Sequence, residues 1–207
     1  DNFLGKGKNV RVKATKTNVT TSLAAYLTDP YYTPDGVSRT LSATISQVDV
    51  SGTSTSSYLA DTYGAGVMYD MPVSETSYFG LGYDLSLTQF TTTSYSPIIV
   101  THHIADHGED SLGITIKGSF SDDTRNRTIF AETGILHLIN SQLFLGIEGA
   151  SHISALYNTE TNIPYIWKTL GFDWYTVIQA KTRIGIGAGL GSATSLPFYN
   201  KFFAGGK

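Results

Sequence analysis

Period-two alternation over segments longer than most soluble strands is the feature that most limits what this chain can fold into. From Phe79 the odd positions read Phe79, Leu81, Tyr83, Leu85 and Leu87, while Gly80, Gly82, Asp84 and Ser86 fall between them. Upstream, Tyr63, Ala65, Val67, Tyr69 and Met71 alternate with Gly64, Gly66, Met68 and Asp70, and Pro72 to Thr76 between the two runs makes a tight hairpin. The same rhythm returns in Leu112, Ile114, Ile116 and Phe120, in Ile178, Ala180, Ile184 and Ile186, and near the start in Val10, Val12 and Ala14. The spacing predicts about nine strands, over 7–17, 20–32, 37–50, 58–71, 77–92, 111–121, 134–149, 163–173 and 175–188.

The connections divide in character. Thr33 to Gly36, Pro72 to Thr76 and the segment around Asp122 to Gly134 read as turns. Ser51 to Ser57, Thr93 to Asp110 and Ala150 to Asn162 read as longer polar loops, the second with a short helix from Pro97 to His103. Short turns at one end and long loops at the other are how outer-membrane barrels are built.

A soluble β-sandwich is the competing architecture. Its outward face would have to meet bulk water, yet the second face here is Gly, Ser, Thr and scattered charge. Charged residues are 15% of the 207, against about 25% in ordinary globular domains. Tyr and Phe sit near strand ends, where barrels carry aromatic girdles. The expected fold is therefore all-β, an antiparallel transmembrane β-barrel. No run of 18 apolar residues exists, which leaves no helical span, and the opening Asp1-Asn2-Phe3-Leu4-Gly5 reads as no signal peptide.

Chemistry is sparse. There is no Cys, so disulfides and thiolate metal sites are out. His102, His103 and His107 with Asp106, Glu109 and Asp110 have ligand-type side chains, but a polar loop explains them equally and no second shell is evident. No G-x-S-x-G elbow occurs, and the glycines from Gly185 to Gly191 lie in a strand leading to a loop rather than entering a helix. Small residues for a crowded lumen account for them. No catalytic residue, cofactor or metal is expected, and a net charge of -3 gives no argument for nucleic acid. Arg11, Lys13, Asp70, Asp84, Lys117, Glu148, Lys181 and Arg183 are expected on the lumen side, to pair with one another or to cradle a loop.

Four motifs carry a resemblance. Asn2, Leu4, Gly5 and Gly7 stand in a turn that resembles the N-W/F-L-G-x-G turn of the BamA-type outer-membrane assembly factors, the bacterial surface-antigen superfamily. Pro30, Tyr31, Asp35 and Gly36 lie in a stretch similar to that family's T-N-P-Y-F-T-x-D-G-V-S hairpin. Asp123, Arg125, Arg127, Phe130 and Gly134 resemble its D-T-R-D-R-x-x-F-P-T-x-G turn, with Ala131-Glu132 where Pro is usual, a change that loosens the turn. Pro197, Phe198, Tyr199, Phe202, Ala204, Gly205 and Gly206 resemble the approach to its sixth extracellular loop.

The resemblance spans nearly the whole chain. It implies a sixteen-stranded barrel of which these nine are the third to the eleventh, with the POTRA domains, the first two strands, the last five and the V-R-G-F loop lying elsewhere. It further implies a non-enzymatic factor of the bacterial outer membrane that inserts β-barrel clients at a lateral seam. Its partners would be the lipid bilayer and lipopolysaccharide, unfolded outer-membrane proteins and accessory assembly lipoproteins. A sister transporter of the same superfamily, a passive porin and a soluble adhesin-like sandwich are the alternatives.

Overall fold

Strands of this length cannot satisfy their own amides and carbonyls, so each must pair with a neighbour. The computed structural model describes residues 7–49, 58–93, 96–149, 151–190 and Pro197. Nine strands form one antiparallel sheet in chain order: β1 Asn9–Lys16, β2 Thr20–Asp29, β3 Ser38–Asp49, β4 Tyr58–Pro72, β5 Ser77–Thr92, β6 Asp110–Asp123, β7 Leu136–Glu148, β8 His152–Thr169 and β9 Phe172–Gly189. One helix, α1 (Ile98–His107), interrupts the meander between β5 and β6. Among the described residues no helix is long and apolar enough to cross a membrane.

Seven strands fall where the alternation places them. The last two differ. β8 begins at His152, so most of the polar loop expected from Ala150 to Asn162 is strand, and β9 begins at Phe172 rather than at 175. The reason is local: Asn158, Glu160 and Asn162 face one side and Thr159 and Thr161 the other, so both faces are polar and the alternation disappears. The hairpin turn is the two-residue Leu170-Gly171, both at positive φ (52° and 80°), ahead of the break at 174 between the two strands expected from sequence. The division of connection lengths is correspondingly weaker. One rim, called here the motif rim, has connections of eight, four, twelve and two residues (30–37, 73–76, 124–135 and 170–171). The other, the helix rim, has three residues at 17–19, seventeen at 93–109 and three at 149–151. The loop expected from Ser51 to Ser57 lies outside the described residues.

The registers separate two faces. Val12, Ala25, Ala43, Ala65, Leu85, Ile114, Leu145 and Ile153 follow one another across the sheet on the apolar face. Beside them Ser42, Gly66, Asp84, Thr115, Phe144 and Ser154 follow one another on the polar one. In a membrane only the first can meet hydrocarbon, so the polar face lines the interior. The ladder is also sheared. Followed across the registers, the midpoint of β2 (Ala24/Ala25) reaches Ala188/Gly189 on β9, whereas β9 is centred on Ala180/Lys181, eight residues away after seven steps. That is a rise of ~26 Å over a width of ~34 Å, a strand inclination of roughly 40°, within the range for closed barrels.

The apolar band is uneven in height. On β1 to β3 it runs from Val10 to Ala14, Leu23 to Leu27 and Leu41 to Ile45, bounded by Lys16, Asp29, Arg39 and Gln47. On β4 to β7 it runs from Tyr63 to Met71, Phe79 to Leu87, Leu112 to Phe120 and Ile139 to Ile147. On β8 it reaches from Ile153 to Tyr165, and on β9 from Phe172 to Ala188, with only threonines interrupting. At this inclination the heights are roughly 10 Å, 20 Å, 30 Å and 40 Å.

The faces make a direct prediction. Leu85→Arg, on the apolar face, should cost about 2–4 kcal/mol of unfolding free energy in lipid vesicles. Thr115→Arg, opposite Asp84 on the polar face, should cost under about 1 kcal/mol. Equal losses in denaturant titrations of the two variants would reverse the assignment of faces.

Candidate functional site

Two of the four sequence motifs, with Gly7 of a third, lie on the motif rim, where turn backbones and short side chains tie one connection to the next. Lys8, beside Gly7, forms an ion pair with Asp29 at 3.2 Å, linking the start of β1 to the end of β2. In the 30–37 turn, Tyr32 N donates to Val37 O (3.0 Å) and Gly36 N to Thr33 O (3.2 Å), with Gly36 at φ 83°. Pro30 opens this turn and Asp35 occupies its tip, while Tyr31 is exposed. Tyr32 packs on Tyr69 at 5.8 Å between ring centres, and the Arg39 guanidinium sits 4.0 Å over the Tyr32 ring. The sequence motif contained Tyr32 but gave no sign of Arg39, because the stacking joins the turn to a side chain just past the motif, on β3.

Asp122 continues the chain of ties: Thr76 Oγ1 and Ser77 Oγ donate to its Oδ1 at 2.9 and 2.8 Å. In the next connection Arg125 grips Asp123 through both Nε (2.7 Å) and Nη2 (2.8 Å), and that hydrogen-bonded carboxylate holds the guanidinium above its ordinary pKa. Asn126 Oδ1 accepts from the backbone of Glu132 (2.9 Å), and Arg127 pairs with Glu132. Thr124 and Ile135 exchange bonds of 2.9 Å across the base of the turn. The expectation that Ala131-Glu132 loosens this turn therefore meets a compensating set of ties, with Ala131 buried. Phe130 stands exposed in a left-handed conformation, φ 54°.

Of the remaining motif positions, Pro197 is buried. Asn2, Leu4, Gly5, Phe198, Tyr199, Phe202, Ala204, Gly205 and Gly206 lie outside the described residues.

The interior charges fall as expected for seven of the eight: Arg11, Lys13, Asp70, Asp84, Lys117, Lys181 and Arg183 share the polar face. Lys117 pairs with Asp84, and Lys181 with Glu160 at 3.2 Å. Glu160 also accepts from Asn162 (3.0 Å) and Gln179 (2.9 Å), a network that sequence reasoning missed by assigning the first half of β8 to a loop. Glu148 sits where the ladder bulges beside Leu112/Gly113. Gly185 and Gly187 fall on the polar face, opposite Leu156 and Ser154.

On the helix rim, α1 runs to His107, a turn longer than expected, and ends at Gly108. His103 and His107 turn inward, and His102 is exposed. Among the described residues no group of three His, Cys, Asp or Glu side chains is placed to hold a metal.

An antiparallel sheet sheared for closure, apolar outside and polar within, is the wall of a bacterial outer-membrane β-barrel. Residues 2–207 match the Omp85 superfamily domain, and the chain belongs to that superfamily. It is 28% identical over 218 residues to the outer membrane protein assembly factor BamA of Neisseria meningitidis serogroup B, a match covering all of this chain and 26% of that protein. The crystal structure of Haemophilus ducreyi BamA lacking POTRA domains 1–3 superposes on the whole chain with a TM-score of 0.74 at 21% identity, covering 40% of that structure. The chain thus spans about a quarter of the length of its curated relative.

Backbone conformation, more than charge, should hold the motif rim. A Cβ at Gly134 (φ 94°) would collide with the Thr124 carbonyl and lie 2.6 Å from Arg125 Cα, whereas one at Gly7 (φ 70°) meets nothing within 4 Å. Gly134→Ala should therefore cost about 2–3 kcal/mol and Gly7→Ala about 1 kcal/mol, read from denaturant midpoints of the folded protein in detergent.

Proposed function

We propose that the chain forms part of the barrel wall of an outer-membrane protein assembly factor, and that its β1–β3 side thins the adjacent bilayer where client strands enter. The observation that carries this reading is the fall in the apolar band from β9 to β1. A band of roughly 10 Å is far short of the ~25 Å usual for outer-membrane barrels and the ~30 Å hydrocarbon core. Lipid beside it must thin or expose tails, and a thinner layer lowers the barrier to passing polar turns of a client. Both edges of this nine-stranded sheet carry backbone groups that hydrocarbon cannot satisfy, so further strands are inferred beyond β1 and β9. The seam where clients template is assigned to strands beyond β1, nearest the thin side. The motif-rim residues act as structural ties, the mechanism is non-covalent, and lipopolysaccharide and accessory lipoproteins join the membrane and clients as partners.

Depleting the protein that carries this chain should lower the heat-resistant folded fraction of several unrelated outer-membrane barrels. Raising the band with Lys16→Leu, Arg39→Leu and Gln47→Leu together should slow client assembly several-fold while the variant itself still folds. Unchanged client assembly by that folded variant would remove the thinning mechanism. Loss of one secreted substrate with barrels intact would point to a transporter of the same superfamily instead.

A further inference from the structure

The helix rim carries a small buried core that the assembly reading does not use. Phe90, Val100 and His152 are 2%, 1% and 0% exposed, the most enclosed large side chains among the described residues, in a sheet that otherwise buries little. Phe90, Ser111, Phe144 and His152 all point from the strands into the interior, and α1 folds onto them. His103 meets Phe90 edge-on at 6.2 Å between ring centres, His107 lies 5.2 Å from His103, and Phe144 lies 5.0 Å from His152. Tyr58 backs Phe90 at 6.5 Å.

We propose that α1 is a pH-operated lid over the helix-rim mouth of the barrel, held shut by the neutral His103 ring and released when that ring is protonated. The groups facing His103 decide the direction. From its own helix come His107 and the carboxylate of Asp106, and from β8 comes His152. From β5, Phe90 meets the ring edge-on. Glu109, Asp110 and Glu148 stand exposed at the rim, and Asp110 accepts from Gln89 at 3.0 Å on the apolar face. Burial, then His107, then His152 hold the imidazole below its ordinary pKa of 6.5, and Asp106 opposes them with the smallest contribution.

The sign follows by linkage. A depressed histidine binds fewer protons in the closed state than in the open one, so closure is at full strength above the ordinary value of 6.5 and weakens as pH falls below it. Described residues bracket the lid at both ends. Thr93 N donates to Ser96 Oγ (2.8 Å) ahead of Pro97, and Gly108, at φ 87°, ends the helix by donating to Ile104 O (2.9 Å). Between them α1 meets the sheet mainly through this core.

Hydrogen exchange of the α1 amides in the detergent-solubilised protein, corrected for intrinsic rates, tests the lid. Protection should fall measurably between pH 7.5 and pH 5. His103→Phe, which keeps the ring but not the titration, should stay protected at both, and His102→Phe, on the exposed face, should behave as wild type. Constant protection in wild type, or an undiminished pH effect in His103→Phe, overturns the proposal. Should His103→Phe not fold, ring-proton NMR of wild type decides: His103 should titrate below 6.5, and titration at or above 6.5 sinks the idea.

Discussion

Inside hydrocarbon there is no water to satisfy an amide or a carbonyl, and every other property of this sheet follows from that. The ladder from β1 to β9 keeps continuous register, broken only by the bulge at Leu112/Gly113, beyond the apolar middle of the strands. Continuous pairing fixes the pleat, and the pleat sends successive side chains to opposite solvents. Shear then supplies inclination, and inclination sets how much strand length is needed to cross a given thickness. β9, at 18 residues, and β1, at 8, are therefore parts of one geometry with different apolar heights.

What the sequence revealed and concealed follows the same constraint. β5 was legible because Phe79 to Leu87 and Gly80 to Ser86 separate hydrocarbon from interior without exception. The middle of β8 was not, because Thr159 and Thr161 carry hydroxyls on the outer face opposite Ile139 and His137, while Asn158 and Glu160 are polar within. Backbone pairing holds that segment in the sheet, and pairing leaves no signature in side-chain polarity. The rim turns were legible as motifs because left-handed positions such as Gly36 and Gly134 restrict residue type. Their mutual ties, such as Thr76 and Ser77 to Asp122, join residues about 45 positions apart and could not be read locally. The helix was placed correctly at its start by Pro97 and ended late because His107 and Gly108, not His103, close its last turn.

The rim ties also show which forces matter there. Arg127–Glu132 is an exposed ion pair and Lys8–Asp29 a partly exposed one, worth about 0–1 kcal/mol each. The turn at 124–135 gains more from buried Ala131, from backbone groups met by Asn126 and Thr124, and from a glycine that alone fits its left-handed position. Specific turn geometry, repeated around one rim, keeps strand starts in register where lipid no longer does so.

A wall with a graded apolar band has two ways to meet a bilayer of uniform thickness: tilt as a rigid body, or bend the lipid. Tilting would shift the β1 side within the bilayer without lengthening its band, and would drive part of the β8–β9 surface, with Phe172, Trp174 and Ile178, into water. Exposed apolar area costs about 25 cal/mol per Å², and those side chains carry some of the largest areas on the outer face. Trp174 and Tyr165 also prefer the headgroup boundary, so they resist displacement in either direction. Lipid deformation costs only fractions of a kcal/mol per Å of mismatch for each contact. The cheaper response is for the tall side to fix the depth of the barrel and for the lipid beside β1 to β3 to thin, which places the disturbance at one edge of the sheet instead of spreading it around the wall.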